Sequence, residues 1–156
     1  MVTMKKVFES ALISEIRLPD AVTVESGTPL KEVSNLMCDR SFGCVPIVNG
    51  TKLLGIFTER DWLTRVLRSG ISLDQPVDDV MTKSPITLNK YAGIWEAAEL
   101  MGIQKIRHIP VVNDKMECVS MISVRDVLQY FAECFPEQFL AHPPDNKTKT
   151  FRPESG

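Results

Sequence analysis

The chain has 156 residues, 44% of them hydrophobic and 24% charged, with a formal net charge of −2. That length and apolar content suit one compact domain, or two small ones packed together. The slight negative charge gives no global reason to capture nucleic acid or an anionic membrane, and no apolar run approaches the roughly 18 residues of a membrane-crossing helix.

Near the start, Lys5 and Lys6 are followed within four residues by Glu9 and Ser10, which interrupt any signal-peptide apolar region. A cytoplasmic location is therefore expected. Residues 1–20 form a leading segment, in which 5–16 predict an amphipathic helix with Phe8, Leu12 and Ile16 on one face. Residues 21–24 read as a short strand. Thr28 is the expected cap of a helix with Pro29 at its first position, and Leu30, Val33, Leu36 and Met37 recur at helical spacing. Residues 44–48 are an apolar run broken by Pro46, which predicts a strand that is an edge or irregular there. Asn49-Gly50 predicts a tight hairpin turn into a returning strand. A helix carrying Trp62, Leu63, Val66 and Leu67 follows, stopped by Gly70.

Residues 71–84 read as a linker with a short helix behind Pro76. A second unit, 85–135, then runs through the same order. It has a strand at 85–88, a helix with Ile94, Ala97, Ala98 and Met101, apolar strands around Pro110 and Ile122, and a last helix with Val127, Leu128 and Phe131. Residues 136–156 turn to proline, lysine and threonine and read as a mobile tail.

The two units are copies. Val22 falls on Ile86, Thr23 on Thr87, Met37 on Met101 and Pro46 on Pro110 at a constant offset of 64. After one inserted residue the offset is 65, and Thr58 meets Ser123, Arg60 meets Arg125 and Asp61 meets Asp126. Repeats too short to bury a core alone do so by packing together, and clefts between such units suit small ligands. The fold expected is α+β, two β-α-β-β-α repeats (21–70 and 85–135) related by a pseudo-twofold axis.

Gly55–Trp62 (GIFTERDW) and Ser120–Val127 (SMISVRDV) are the chemically informative stretches. Hydroxyl-x-x-acid before an apolar helix is first of all a capping box. Here, however, the acid is Asp rather than the longer Glu, an Arg precedes it in both copies, and each motif follows a strand end. A helix start at a strand end suits anions, and a carboxylate there suits ribose hydroxyls. Hydroxyl, carboxylate and cation together read as a sugar-phosphate constellation.

The other candidates are bland. Cys38, Cys44, Cys118 and Cys134 include no C-x-x-C pair and read as small buried thiols. A Cys44–His108 pair lacks an orienting acid, and Asp78-Asp79 reads as a solvated helical turn. Trp62 and Trp95 read as packing residues, and no Walker loop, dinucleotide glycine fingerprint or metalloprotease motif is present.

CVPIV with GIFTERD, and RHIPVV with SMISVRD, resemble the paired repeats of the cystathionine-β-synthase (CBS) domain family, the Bateman module. The resemblance covers about residues 21–132. It implies a non-catalytic regulatory protein that senses an adenosine-containing ligand: AMP, ADP, ATP or S-adenosylmethionine, with no cofactor required and no metal. Asp61 and Asp126 would then hold ribose hydroxyls, and Thr58 and Ser123 would contact ribose or phosphate. Val22, Ile86 and the residues around Val45-Pro46 and Ile109-Pro110 would line adenine slots. Arg60, Lys83, Arg107, His108 and Arg125 would meet phosphates. Arg107-His108 aligns with Gly43-Cys44, so the second site is expected to carry more positive charge. A homodimer and a regulated protein partner are also implied. The competing expectation is an interaction or dimerisation module that no longer binds nucleotide.

Overall fold

The computed structural model describes residues 4–137, so residues 138–156 of the expected tail and the side chain of Phe8 lie outside the described residues. The fold is α+β with two sheets. Helix α1 (Met4–Ser10) and a 3-10 turn (Ile13–Glu15) lead into β1 (Val24–Glu25), α2 (Leu30–Arg40), β2 (Cys44–Asn49), β3 (Lys52–Thr58) and α3 (Glu59–Asp61). Helix α3 continues as a π-helical stretch, Trp62–Leu67. A second 3-10 turn (Val77–Asp79), β4 (Thr82–Lys83), β5 (Leu88–Asn89), α4 (Ile94–Gln104), β6 (His108–Val112), β7 (Cys118–Ser123) and α5 (Val124–Cys134) complete it. One sheet runs β1-β2-β3-β4, the other β5-β6-β7.

Each repeat lends its leading segment to the other. Strand β4, which precedes the second repeat, pairs antiparallel with β3 of the first. Asp20, which precedes the first repeat, bridges Ser120 of β7 in the second. The cores follow suit. Val77, Val80 and Met81 pack with Val24, Leu30, Val33, Ile47 and Phe57. Ala11 and Ile13 pack with Leu88, Ile94, Ile109, Ile122 and Phe131. The backbone bonds repeat this at the same offset: Ile13 N–H to Ala92 O and Ile94 N–H to Ala11 O, against Val77 N–H to Thr28 O and Leu30 N–H to Gln75 O. This paired exchange is the pseudo-twofold relation between the repeats.

That exchange corrects the expected helix over 5–16. The helix stops at Ser10, and the chain runs extended so that Ala11 and Ile13, 3% and 2% exposed, enter the far core. Leu12, expected on one apolar face with Phe8 and Ile16, is 36% exposed. The opening strands of both repeats are shorter and later than expected, leaving Val22 and Ile86 outside them and exposed. Thr28 does not cap α2. Its hydroxyl donates to Glu25 O within the turn, and Pro29 is the cap residue.

The hairpin pairs Asn49 with Lys52, and only Gly50, at φ +62°, is left-handed. That is the pattern of a II′ turn on Gly50-Thr51, one residue later than an Asn-Gly turn. Pro46 and Pro110 lie in middle strands, yet the edge argument survives locally. β1 reaches only Ile47 and Val48, and β5 only Val111 and Val112. Each proline therefore stands just before that pairing starts, where its missing N–H costs the ladder nothing.

Candidate functional site

Strand alternation decides what the proline-bearing strands can offer. Val45 and Ile109 are fully buried and point into their own cores, so only their backbone is available to a cleft. Cys44 and Pro46 in β2, and His108 and Pro110 in β6, lie on the opposite faces. These faces look toward the other repeat: a side chain on Gly43 would come within 3.4 Å of His108 Cε1 and 3.3 Å of a Glu59 carboxylate oxygen.

The motifs stand where those strands meet the helices. Thr58 pairs with Cys44 and Ser123 with His108. The Thr58 N–H and hydroxyl donate to Asp61 Oδ2 at 3.0 and 2.7 Å, and Asp61 N–H donates to Thr58 Oγ1 at 3.1 Å. Ser123 repeats the arrangement on Asp126 Oδ2 at 2.7 and 2.5 Å. Both capping boxes are therefore closed, by an Asp shorter than the usual Glu. The extended backbone of the cap residue, φ −124° at Thr58 and −119° at Ser123, brings the N–H within its range. One oxygen of each carboxylate is thereby consumed by the helix start.

The second oxygens differ. Asp61 is 5% exposed, and its Oδ1 accepts the Thr82 hydroxyl at 3.2 Å and lies 3.4 Å from Arg65 Nε. Asp126 is half-buried, and its Oδ1 accepts no hydrogen bond among the described residues. It borders a cavity of about 400 Å³ lined by Glu15, Ile16, Arg17, Asp126, Gln129, Tyr130 and Glu133. A larger cavity, about 640 Å³, lies between α2 and the α3 helix among Met37, Phe42, Phe57, Trp62 and Leu63. None of the residues expected to bind ligand lines it.

The cations are dispersed. Arg60 reaches across to the other repeat and donates to Lys105 O at 3.4 Å. Arg125 and Arg107 are exposed, as is Lys83, held in β4 against Gly55. Burial pushes the His108 pKa below 6.5, with Asp126 and Glu59 pulling the other way and Arg107 reinforcing the shift. At neutral pH His108 is thus a hydrogen-bonding group rather than the cation expected. Burial likewise pushes the Cys44 thiol up to about 12, with Asp61 adding to the effect. Asp78 is engaged by the Ser26 hydroxyl and Gly27 N–H, both at 2.6 Å, and ties the linker to the first repeat. No group of metal-ligating side chains is found among the described residues. No described helix is long and apolar enough to cross a membrane.

Arg65, Thr82, Glu15, Arg17 and Tyr130 surround the two carboxylates and were not singled out from the sequence. Their signal was the repeat itself, which extends back to Ile13 over Val77 at the offset of 64.

The CBS domain family matches residues 13–68 and 77–133. Inosine-5'-monophosphate dehydrogenase of Korarchaeum cryptofilum is 33% identical over 117 residues, 75% of this chain and 23% of that protein. The chain thus spans about a quarter of that relative's length. A CBS domain protein from Pyrobaculum aerophilum, solved complexed with AMP, is 27% identical at a TM-score of 0.69, covering 78% of this chain and 98% of that one. A CBS-domain containing protein from Agrobacterium tumefaciens is 30% identical at a TM-score of 0.65, covering 71% and 89%. Doubled motifs, two sheets with exchanged leading segments and a match over both repeats lead to one conclusion: the chain belongs to the CBS domain family.

Proposed function

We propose that this chain is a non-catalytic regulatory module that binds an adenosine-containing ligand between its two repeats. AMP, ADP, ATP and S-adenosylmethionine are the ligand class. The observation that carries the reading is the Asp126 carboxylate, held by a closed capping box beside a cavity, with its second oxygen accepting no hydrogen bond among the described residues. A fixed acceptor of that kind suits ribose hydroxyls. The AMP held by the Pyrobaculum relative supports the same class.

In this reading Asp126 and Ser123 hold the sugar, and backbone groups of Ile109-Pro110 and the exposed Ile86 and Val22 regions approach the base. Arg107, Arg125 and a hydrogen-bonding His108 meet a phosphate. Binding acts as a switch only through unequal affinity for two arrangements of the repeats. Leu63 and Leu128, equivalent by the repeat and 60% and 55% exposed, support a homodimer through these helices, with a regulated protein as further partner. A cytoplasmic location belongs to the same proposal, as do the repeat boundaries at 21–70 and 85–135.

Thermal-shift titration with AMP, ATP and S-adenosylmethionine tests it. A ligand at 100 times its dissociation constant stabilises the fold by about 2.7 kcal/mol. Absence of any shift would favour the interaction module instead.

A further inference from the structure

Four residues lining the cavity beneath Asp126 have counterparts in the first repeat, and there the counterparts are bonded to one another. Ile16, Arg17, Asp126 and Tyr130 border the open volume. At the repeat offsets they correspond to Val80, Met81, Asp61 and Arg65. In the first repeat Arg65 Nη1 donates to the carbonyls of Val80 and Met81, both at 2.9 Å, while its Nε lies 3.4 Å from Asp61 Oδ1. Thr82 adds a hydroxyl to the same oxygen at 3.2 Å. The second repeat cannot repeat this closure. The Tyr130 hydroxyl turns to Glu15 at 3.5 Å, and the counterpart of Thr82 is Leu18, which has no side-chain donor.

We infer that Arg65 is an internal occupant of the first ligand cleft, so that each chain takes one adenosine ligand, at Asp126. The inference rests on reading the motif carboxylates as sugar ligands. A ribose entering the first repeat must displace a guanidinium held by three oxygens and leave two backbone carbonyls without their donor. Sugar hydroxyls replace the bonds to Asp61 but not those to Val80 and Met81, and buried carbonyls left unpaired are costly. At Asp126 the same hydroxyls meet an oxygen that accepts no hydrogen bond among the described residues. The π-helical stretch Trp62–Leu67 belongs to this difference: it carries Arg65, whereas Tyr130 lies on regular helix.

Isothermal titration of the full chain with S-adenosylmethionine, and in parallel with AMP, reads the stoichiometry. Wild type is expected to take one equivalent and Tyr130→Arg none, because the new guanidinium stands four residues from Asp126 as Arg65 does from Asp61. The double variant Arg65→Tyr/Thr82→Leu, which copies the second repeat into the first, is expected to take two. If that variant does not fold, Arg65→Gln, which keeps most of the stem and drops the guanidinium, carries the same expectation. Two equivalents on wild type, or one retained by Tyr130→Arg, overturn the inference. Binding gained only on freeing Asp61, with none on wild type, upholds the internal occupant and removes the open second cleft of the proposed function. Absence of binding in every variant removes both.

Discussion

Replacing each motif aspartate by alanine separates a carboxylate that is structurally consumed from one that is half free. Asp61→Ala removes the capping box, worth about 1 kcal/mol. It also strips the acceptor from the Thr82 hydroxyl and from Arg65. A hydrogen bond to a charged group contributes about 1.5–3 kcal/mol. The Arg65 side chain is 46% exposed and rehydrates, so its share falls to the roughly 0–1 kcal/mol of a surface pair. The total expected for Asp61→Ala is about 3 kcal/mol, against about 1 kcal/mol for Asp126→Ala, where only the cap is lost. Urea denaturation with an unchanged m-value measures the difference directly. In a thermal melt the gap of about 2 kcal/mol appears as roughly 4–8 °C. Equal losses at the two positions, or a larger loss at Asp126, would refute the reasoning that Asp61 is bound from within.

Gly55→Ala should cost about 1–3 kcal/mol by overpacking, because a Cβ there would lie 2.6 Å from Met81 Sδ and 2.8 Å from Thr82 O; chemical denaturation checks it. Thiol titration of the native protein at pH 8 should find Cys38 and Cys134 fast, since both are exposed, while Cys44, pushed up to about 12, and Cys118, pushed up to about 11, react slowly until denaturant is added. The lowered pKa of His108 means that the unfolded chain takes the proton first. Its contribution to stability is therefore lost as pH falls below 6.5 and levels off beneath the folded value. His108→Asn should flatten that part of a melting-temperature profile between pH 8 and 5.

The repeat, the order of elements and the two carboxylates were legible because they depend on residue type at fixed spacing. Val33 and Ala97, or Thr58 and Ser123, reveal themselves by register alone. What escaped depends on partners far along the chain. Ile13-Ser-Glu-Ile16 and Val77-Asp-Asp-Val80 share only their apolar ends, too little to show that each is housed by the other repeat. The inward turn of Asp61 is invisible locally, since it needs Thr82 from the linker and Arg65 on an irregular helix. The neutral state of His108 follows from burial between repeats, which its strand context does not announce.

The exchange of leading segments also bears on how the chain matures as it is synthesised. Ala11 and Ile13 are made early, yet the surface that shelters them is built from residues as late as Val127 and Phe131. The first repeat likewise waits for Val77 and Val80 before its own core closes. Contacts of such long sequence separation slow folding, because the intervening loop must be ordered before they are made. On the ribosome the first core can therefore close once Met81 has emerged, whereas Ala11 and Ile13 stay uncovered until the second repeat has emerged through Phe131.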